Sequence, residues 1–170
     1  METAKERTVT PEQIEGPYWL PGSPERQRLV EDGIVGAPLT LTGRVFKQDL
    51  TPVEGAWVDF WQCDGVGVYD FEGYRLRGHQ YTDADGRYRL ETIVPVEYTD
   101  RLEFAGRQFD VHRTAHLHVK VKMPRRQTLT TQLYFPGAPH NDKDQIFNAA
   151  CILELSSDGR TAQFDFVLPW

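Results

Sequence analysis

Two histidines stand one residue apart in the segment Arg113–His118. The residues around them alternate between apolar and polar types, which predicts a β-strand over residues 115–123. Positions i and i+2 of a strand point to the same face, so His116 and His118 can direct two imidazoles at one point, as a chelating pair would. The other interpretation is two polar positions facing solvent, and so short a motif leaves both open.

Two tyrosines upstream extend the possible ligand set. Tyr69 lies in a glycine-rich loop after a predicted strand, and Tyr98 lies in a loop just past another. Each alone is more often a packed surface residue than a ligand. A free phenol, with a pKa of about 10, binds metals poorly at neutral pH, whereas a trivalent cation stabilises phenolate. Two phenolates with two neutral imidazoles suit Fe(III) better than Zn(II).

Short segments rich in aromatic and β-branched residues predict the strands that must position these groups. They cover residues 39–47, 56–62, 87–93, 115–123 and 163–168. Asp85 and Gly86 predict a tight hairpin between two of the strands. Long helical periodicity is absent, and residues 142–150 are expected to form one short helical turn at most. The regular strand spacing indicates an all-β fold, an antiparallel β-sandwich or a barrel.

The beginning of the chain is rich in proline and glycine. This composition predicts an extended N-terminal arm over residues 1–35, laid over the rest of the protein. Residues 36–170 are then the β-sandwich domain, in which loops at the strand ends can carry a functional site. The length of 170 residues suits one domain with a substantial core.

Composition excludes several classes of function. The net charge of −6 and the lack of a basic stripe argue against a nucleic-acid partner. No apolar run is long enough to span a membrane, and the charged start lacks the apolar region of a signal peptide, so we expect a cytoplasmic protein. A short basic cluster is interpreted as a solvated strand end and turn; it consists of Lys120, Lys122, Arg125 and Arg126.

The two cysteines, Cys63 and Cys151, are predicted to be packed and free. A cytosolic location disfavours a disulfide, and neither residue belongs to a CxxC pair, so a zinc–thiolate site is not expected.

The order of several motifs resembles the intradiol ring-cleavage dioxygenases, non-haem ferric enzymes that cleave catechols between the two hydroxyl-bearing carbons. The motifs are residues 15–18, 59–64, 67–69, 81–88, 92–95, 113–118 and 129–135. The resemblance as a whole extends from about residue 15 to residue 147. In size, the chain is most similar to the short stand-alone bacterial members, since it lacks the helical N-terminal region of larger relatives.

The resemblance implies that residues 36–170 are a catalytic β-sandwich domain with long active-site loops, and that it holds a complete metal centre. Tyr69, Tyr98, His116 and His118 are then ligands of Fe(III), with Tyr98 and His118 axial and the other two equatorial. The implied reaction takes a catechol-type diol and O₂ to a cis,cis-muconate-type dicarboxylic acid, with both oxygen atoms in the product. Tyr98 is expected to take up a substrate proton.

Three further residues acquire roles through the resemblance. Arg113 is expected to stabilise negative charge on the activated ring or on a displaced tyrosinate, although a surface arginine at a strand end is the alternative. Gln132 is expected to hydrogen-bond substrate or hydroxide, with a satisfied polar strand residue as its alternative. Tyr18 is expected to reach the pocket mouth from the arm.

The chain also departs from the family pattern. Thr114 stands where the family usually has proline, and Val96 and Glu97 replace a proline–glycine pair before the second tyrosine. Residues 99–112 form a longer segment than expected, placed beside the pocket, where it can set substrate choice. His112 and His79 are expected to be surface residues or supports of the site, not ligands.

Two other functions remain as alternatives at this stage. A transthyretin-like β-sandwich used for binding or structure shares the strand motifs but does not need the four potential ligands together. A zinc hydrolase built on the histidine pair lacks a carboxylate or thiol at a suitable spacing. The sequence does not identify the catechol derivative, and it is compatible with a homo-oligomer without fixing the number of subunits.

Overall fold

The computed structural model describes residues 7–169, which form eleven β-strands and two short 3₁₀ helices. The strands are β1 (Pro38–Lys47), β2 (Trp57–Trp61), β3 (Arg77–Tyr81), β4 (Arg87–Ile93), β5 (Tyr98–Phe104), β6 (Arg107–Arg113), β7 (His116–Lys122), β8 (Thr128–Tyr134), β9 (Glu154–Leu155), β10 (Thr161–Gln163) and β11 (Phe166–Leu168). The 3₁₀ helices cover Asn141–Lys143 and Ala149–Cys151, so the expected single helical turn is two turns. The all-β prediction is confirmed.

The first sheet is organised around β1. Its strand order is β11-β1-β10-β9, and β4 pairs antiparallel with the other edge of β1. The two C-terminal strands β10 and β11 pair with β1 in parallel, along its first and second halves respectively. This sheet is therefore mixed, and the alternation that predicts strands carries no information on their direction.

The predicted strand over residues 163–168 is interrupted at Phe164 and Asp165. At this point the Asp165 carboxylate accepts a hydrogen bond from the Arg44 backbone N–H at 3.0 Å, in place of a backbone carbonyl. The neighbouring Gly43 allows the close approach, because a Cβ atom there would lie 1.7 Å from the Phe164 carbonyl oxygen. The interruption separates the two parallel pairings of β1.

The second sheet is antiparallel throughout, in the order β3-β2-β7-β8. Leu117, Val119 and Val121 of β7 lie in the main hydrophobic core between the two sheets. His116 and His118 alternate with them and therefore lie on the opposite face of the sheet. The predicted alternation over residues 115–123 thus places both imidazoles on one face.

The residues between β4 and β7 form the antiparallel hairpin β5–β6, in which Tyr98 pairs with Arg113 and Thr99 with His112. Tyr98 is the first residue of β5, so its placement in a loop was wrong. Most of β5 and the first half of β6 are exposed. A hairpin without a buried face produces no apolar alternation, which explains why sequence patterns did not predict these strands.

The turn at Asp85 and Gly86 forms, with Gly86 at a φ of 74°. The predicted hairpin is nevertheless wrong, because β3 pairs with β2 and β4 pairs with β1, in different sheets. The arm fills the gap: the Arg26 N–H donates to the His79 carbonyl and the Leu29 N–H donates to the Glu91 carbonyl, each at 2.8 Å. The arm thus occupies the free edges of both β3 and β4, where the predicted hairpin would have paired them with each other.

Residues 7–35 contain no helix and touch the strands through backbone hydrogen bonds and isolated bridges. The Thr10 N–H donates to the Val167 carbonyl, and the Gln13 N–H donates to the Thr130 carbonyl. Cys63 and Cys151 are buried and free. Among the described residues, no helix has the length and apolar character needed to cross a bilayer.

Candidate metal centre

The His116 and His118 side chains are almost fully buried on the outer face of β7. His116 Nδ1 lies 2.6 Å from the Thr114 carbonyl oxygen. A carbonyl only accepts, so Nδ1 carries the proton and Nε2 keeps its lone pair. The His118 ring stacks on Trp61, with centroids 4.8 Å apart and planes within 8°. Both imidazoles are thus held in fixed orientations, as metal ligands usually are.

Tyr69 and Tyr98 complete a closed ring of four donor atoms. Tyr69 Oη lies 3.1 Å from Tyr98 Oη, and Tyr98 Oη lies 3.3 Å from His116 Nε2. His116 Nε2 lies 3.0 Å from His118 Nε2, which lies 3.1 Å from Tyr69 Oη. Residues from the loop after β2, the start of β5 and the start of β7 therefore converge on one point.

This donor set fits a single metal ion. Metal–ligand bonds of about 2.0–2.2 Å place neighbouring ligand atoms about 3 Å apart, as the four edges of the ring are. Tyr98 and His118 occupy opposite corners, and so do Tyr69 and His116. Two phenols and two imidazoles are hard and borderline donors, which suit a ferric ion.

Burial keeps all four groups neutral in the absence of a cation. It lowers the pKa of His116 to about 3, with the Arg113 cation as a second cause, and it lowers the pKa of His118 well below its usual value. Burial also raises the pKa of both Tyr69 and Tyr98, while Arg113 acts in the opposite direction. A trivalent ion within the ring would reverse the shift of the phenols by stabilising phenolate.

Tyr98 is half-buried, whereas Tyr69 is 8% exposed and both histidines are almost fully buried, so Tyr98 is the most accessible of the four donor residues. Tyr18 of the arm stacks on Tyr69, with ring centroids 4.1 Å apart and planes within 2°. Its hydroxyl donates to Asp100 Oδ1 of β5 at 2.5 Å. Burial and this hydrogen bond raise the pKa of Tyr18 to about 12. Tyr18 thus links the arm to the hairpin beside the centre.

Arg113 is a buried cation, not a surface arginine: its side chain is 5% exposed. Its Nε donates to Asp144 Oδ2 at 3.1 Å. Burial opposes the charge, but the Asp144 carboxylate together with Tyr98 and Tyr134 outweighs it, so the pKa of Arg113 is raised. Asp144 also accepts from the Thr114 backbone N–H at 3.0 Å. The ion pair therefore fixes a permanent positive charge beside the four donors.

Gln132 is engaged at both ends of its amide. The Oε1 atom accepts from Arg113, and Nε2 donates to the Ile14 carbonyl at 2.9 Å. The residue is fully buried on β8. Both ends are therefore bonded to protein, as the alternative of a satisfied strand residue expects, and the hydrogen bond to substrate stays a prediction. Gln132 contacts Arg113 and ties the arm to the second sheet.

The other predicted residues lie elsewhere. His79 is on β3, where its Nδ1 lies 3.0 Å from Ser23 Oγ, and His112 contacts Glu97. Lys120 departs from the predicted solvated cluster: it pairs with Glu15, and its Nζ lies 3.7 Å from the Trp19 ring centroid. The stem and charge of Lys120 thus hold the arm onto β7, while the other three basic residues of the cluster are exposed.

Sequence reasoning missed several supports of the centre. They are Trp61, which stacks on His118; Asp100, which accepts from Tyr18; and Asp144, which pairs with Arg113. Trp61 lies on a strand that the sequence predicts, so strand alternation could have placed its side chain on the same sheet face as His116 and His118. Asp100 and Asp144 gave no local signal, because their partners are distant in sequence.

Comparisons with known proteins show which family the chain resembles. A family model described as "Dioxygenase" matches residues 14–168. The chain is 34% identical over 154 residues to catechol 1,2-dioxygenase 2 of Acinetobacter lwoffii, covering 81% of this chain and 55% of that protein. The chain thus spans little more than half the length of that relative.

Solved structures are similar over nearly the whole chain. One is the dioxygenase domain of a dioxygenase–carbohydrate-binding protein fusion from Streptomyces sp. SirexAA-E, with 46% identity, a TM-score of 0.82, and coverage of 95% of this chain and 99% of that one. Another is 3-chlorocatechol 1,2-dioxygenase from Rhodococcus opacus 1CP, with 30% identity, a TM-score of 0.84, and coverage of 93% and 71%. The chain belongs to the intradiol ring-cleavage dioxygenase family.

Proposed function

We propose that this chain is an Fe(III)-dependent intradiol dioxygenase, which cleaves a catechol-type diol with O₂ to a cis,cis-muconate-type dicarboxylic acid. The closed ring of four donor atoms from Tyr69, Tyr98, His116 and His118 is the observation that carries the proposal. A transthyretin-like binding module has no need of such a ring. We also propose that the protein is cytoplasmic.

Ferric iron, when bound, would activate a chelated diol toward O₂, and anionic phenolates would hold it in the ferric state. Tyr98 is the half-buried member of the donor set and the most accessible of the four. Its Oη is therefore the site at which a proton from an arriving diol would be held. The buried imidazoles stay neutral and available as ligands, since burial lowers the pKa of both.

Arg113 would balance the negative charge that a diol brings to the centre. Its strand neighbour is Tyr98, and its charge lowers the pKa of Tyr69 and Tyr98 against the effect of burial. Asp144 and Gln132 hold the guanidinium in place, so this charge needs no reorganisation when the substrate arrives. Tyr18 and the hairpin would close the sides of the pocket and exclude water.

The test is a visible absorption spectrum of the purified chain after ferric iron is supplied. Phenolate bound to Fe(III) is expected to give a red charge-transfer band, and anaerobic catechol, hydroxyquinol or protocatechuate should shift it to longer wavelength. Tyr98→Phe should change the band and His118→Gln should abolish iron retention. The exposed Tyr81 provides a matched control, since Tyr81→Phe should leave the spectrum unchanged.

Product analysis completes the test. With ¹⁸O₂, both labelled atoms should appear in an acyclic dicarboxylic acid, and the diol that shifts the band should be the one consumed. A chain that stays colourless with ferric iron would refute the ligand assignment. A coloured chain that consumes no O₂ with any of the three diols would refute the proposed substrate class.

A further inference from the structure

A second group of potential metal ligands lies at the base of the β5–β6 hairpin, and it shares no side chain with the four-donor centre. Glu97 Oε2 lies 2.5 Å from His140 Nδ1 and 3.4 Å from His112 Nε2. All three ligand atoms lie within 4.8 Å of one another. The two imidazole rings meet edge to face, with centroids 5.1 Å apart and an angle of 88°.

Three separate elements bring these residues together. Glu97 directly precedes β5, and His112 is the last residue but one of β6. The register of the hairpin pairs His112 with Thr99, which places it beside the Glu97 end of the other strand. His140 directly precedes the 3₁₀ helix Asn141–Lys143. The convergence thus depends on the packing of the hairpin against this loop.

The hydrogen bonding of the cluster is incomplete. His112 Nε2 is shielded from solvent, and it finds no hydrogen-bond partner among residues 7–169. At 3.4 Å from Glu97 Oε2, its contact with the carboxylate is an ion-pair distance without hydrogen-bond geometry. A shielded ring nitrogen without a partner is rare and costly, and a cation between it and the carboxylate would satisfy both.

We propose that Glu97, His112 and His140 bind one divalent cation of the zinc class. Two imidazole nitrogens and one carboxylate oxygen are an established zinc ligand set, in which water takes the fourth position. The side chains of Glu97, His112 and His140 are 39%, 28% and 32% exposed, so an ion can enter and water can complete its shell. Neighbouring zinc ligands lie about 3.3 Å apart. The exposed carboxylate would therefore rotate away from His140, and the three ligand atoms already lie within 4.8 Å of one another.

The bound cation would act as a clamp. It would join both strands of the hairpin base to the loop that carries Asp144, the partner of Arg113. It would do so next to Tyr98, which follows Glu97 directly. The inference does not depend on the proposed function, because it uses none of the four donors at the neighbouring centre.

The experiment is a calorimetric titration of the full chain, free of any affinity tag, with ZnCl₂. The chain and its variants are titrated in a His116→Gln/His118→Gln background, so that zinc cannot occupy the neighbouring centre. One zinc ion should bind in this background. His112→Gln and His140→Gln should each weaken that binding about tenfold or more, since each removes a direct ligand. His79→Gln is the matched control and should leave it unchanged.

Folding of every protein is checked by far-ultraviolet circular dichroism, so that loss of zinc binding is not loss of structure. X-ray absorption at the zinc edge provides a measurement without a cluster variant: the background protein should show two imidazole ligands and oxygen donors. Equal zinc affinity with and without His112 and His140, or a zinc spectrum without imidazole, would overturn the proposal.

Discussion

Arg113 and Asp144 form a buried ion pair, with Nε and Oδ2 separated by 3.1 Å and both side chains almost inaccessible to solvent. The pair joins the last residue of β6 to the segment after the first 3₁₀ helix. Asp144 also accepts from the backbone N–H groups of Thr114 and Ile146. One carboxylate therefore fixes both the Arg113 charge and the chain just before the histidine strand.

Asp144→Asn should destabilise the protein strongly, because it leaves the buried Arg113 cation without its counter-charge. The expected loss in the free energy of unfolding is about 3–5 kcal/mol, measured by urea denaturation. Asp110→Asn is the matched control, since the Arg101–Asp110 pair is 68% and 61% exposed and should be worth less than about 1 kcal/mol. Similar losses in the two variants would contradict a structural role for the buried pair.

Tyr18→Phe should separate the contribution of the Tyr18 hydroxyl to stability from that of its ring. The ring stacking on Tyr69 persists in this variant, and the hydrogen bond to Asp100 is lost, so we expect a loss of about 1 kcal/mol in urea unfolding. Tyr18→Ala removes both interactions and should cost about 2–3 kcal/mol more, because it uncovers the face of Tyr69. Equal stability of the two variants would show that the stacked ring contributes nothing.

Gly43→Ala should prevent normal folding or cost about 3 kcal/mol or more. The added Cβ would lie 1.7 Å from the Phe164 carbonyl oxygen, where backbone would have to move at the junction of β1, β10 and β11. Gly73→Ala is the control, because its added Cβ would meet only the Asp70 side chain, at 3.2 Å. Solubility and thermal unfolding of the two variants check the difference. A Gly43→Ala protein as soluble and as thermally stable as the wild type would refute the close approach.

The metal-free protein should lose stability as the pH falls from about 6.5 toward about 3. Both buried histidines have a lowered pKa, about 3 for His116, so the unfolded chain takes up protons in this window that the folded chain does not. The free energy of unfolding then falls by up to about 1.4 kcal/mol per pH unit for each histidine. Urea unfolding at a series of pH values measures the slope.

His116→Gln gives the comparison for this pH effect. Removal of this one buried imidazole should lower the slope by about one proton. A pH slope in the metal-free protein that is the same with and without His116 would show that this imidazole is protonated in the folded state.

Alternation was a reliable guide where a strand has one buried face. The β4 prediction matches the structure at both ends, and the β7 prediction differs by one residue at each end. Because side chains alternate strictly along a strand, the shared face of His116 and His118 also followed from sequence. The convergence of Tyr69 and Tyr98 on this pair could be expected only through the family resemblance, since nothing local relates a loop after β2 to the start of β5.

Sequence gave little warning of features that depend on distant partners. The exposed hairpin β5–β6 has no periodic signal, and the parallel direction of β10 and β11 depends on where the chain returns. Asp144 and Lys120 look like ordinary surface residues until folding brings Arg113, Glu15 and Trp19 against them. The convergence of the four donor residues was thus more predictable than the identity of the residues that surround them.

The central position of β1 has a consequence for how the molecule reaches its native state. Thr40 pairs with Thr161, a sequence separation of about 120 residues, and Val45 pairs with Phe166 in the same parallel direction. During synthesis, β1 can pair early with β4, and its other edge stays open until β10 and β11 leave the ribosome. We therefore expect slow closure of this sheet, with that open edge as the region most exposed to misassembly until β10 and β11 pair with it.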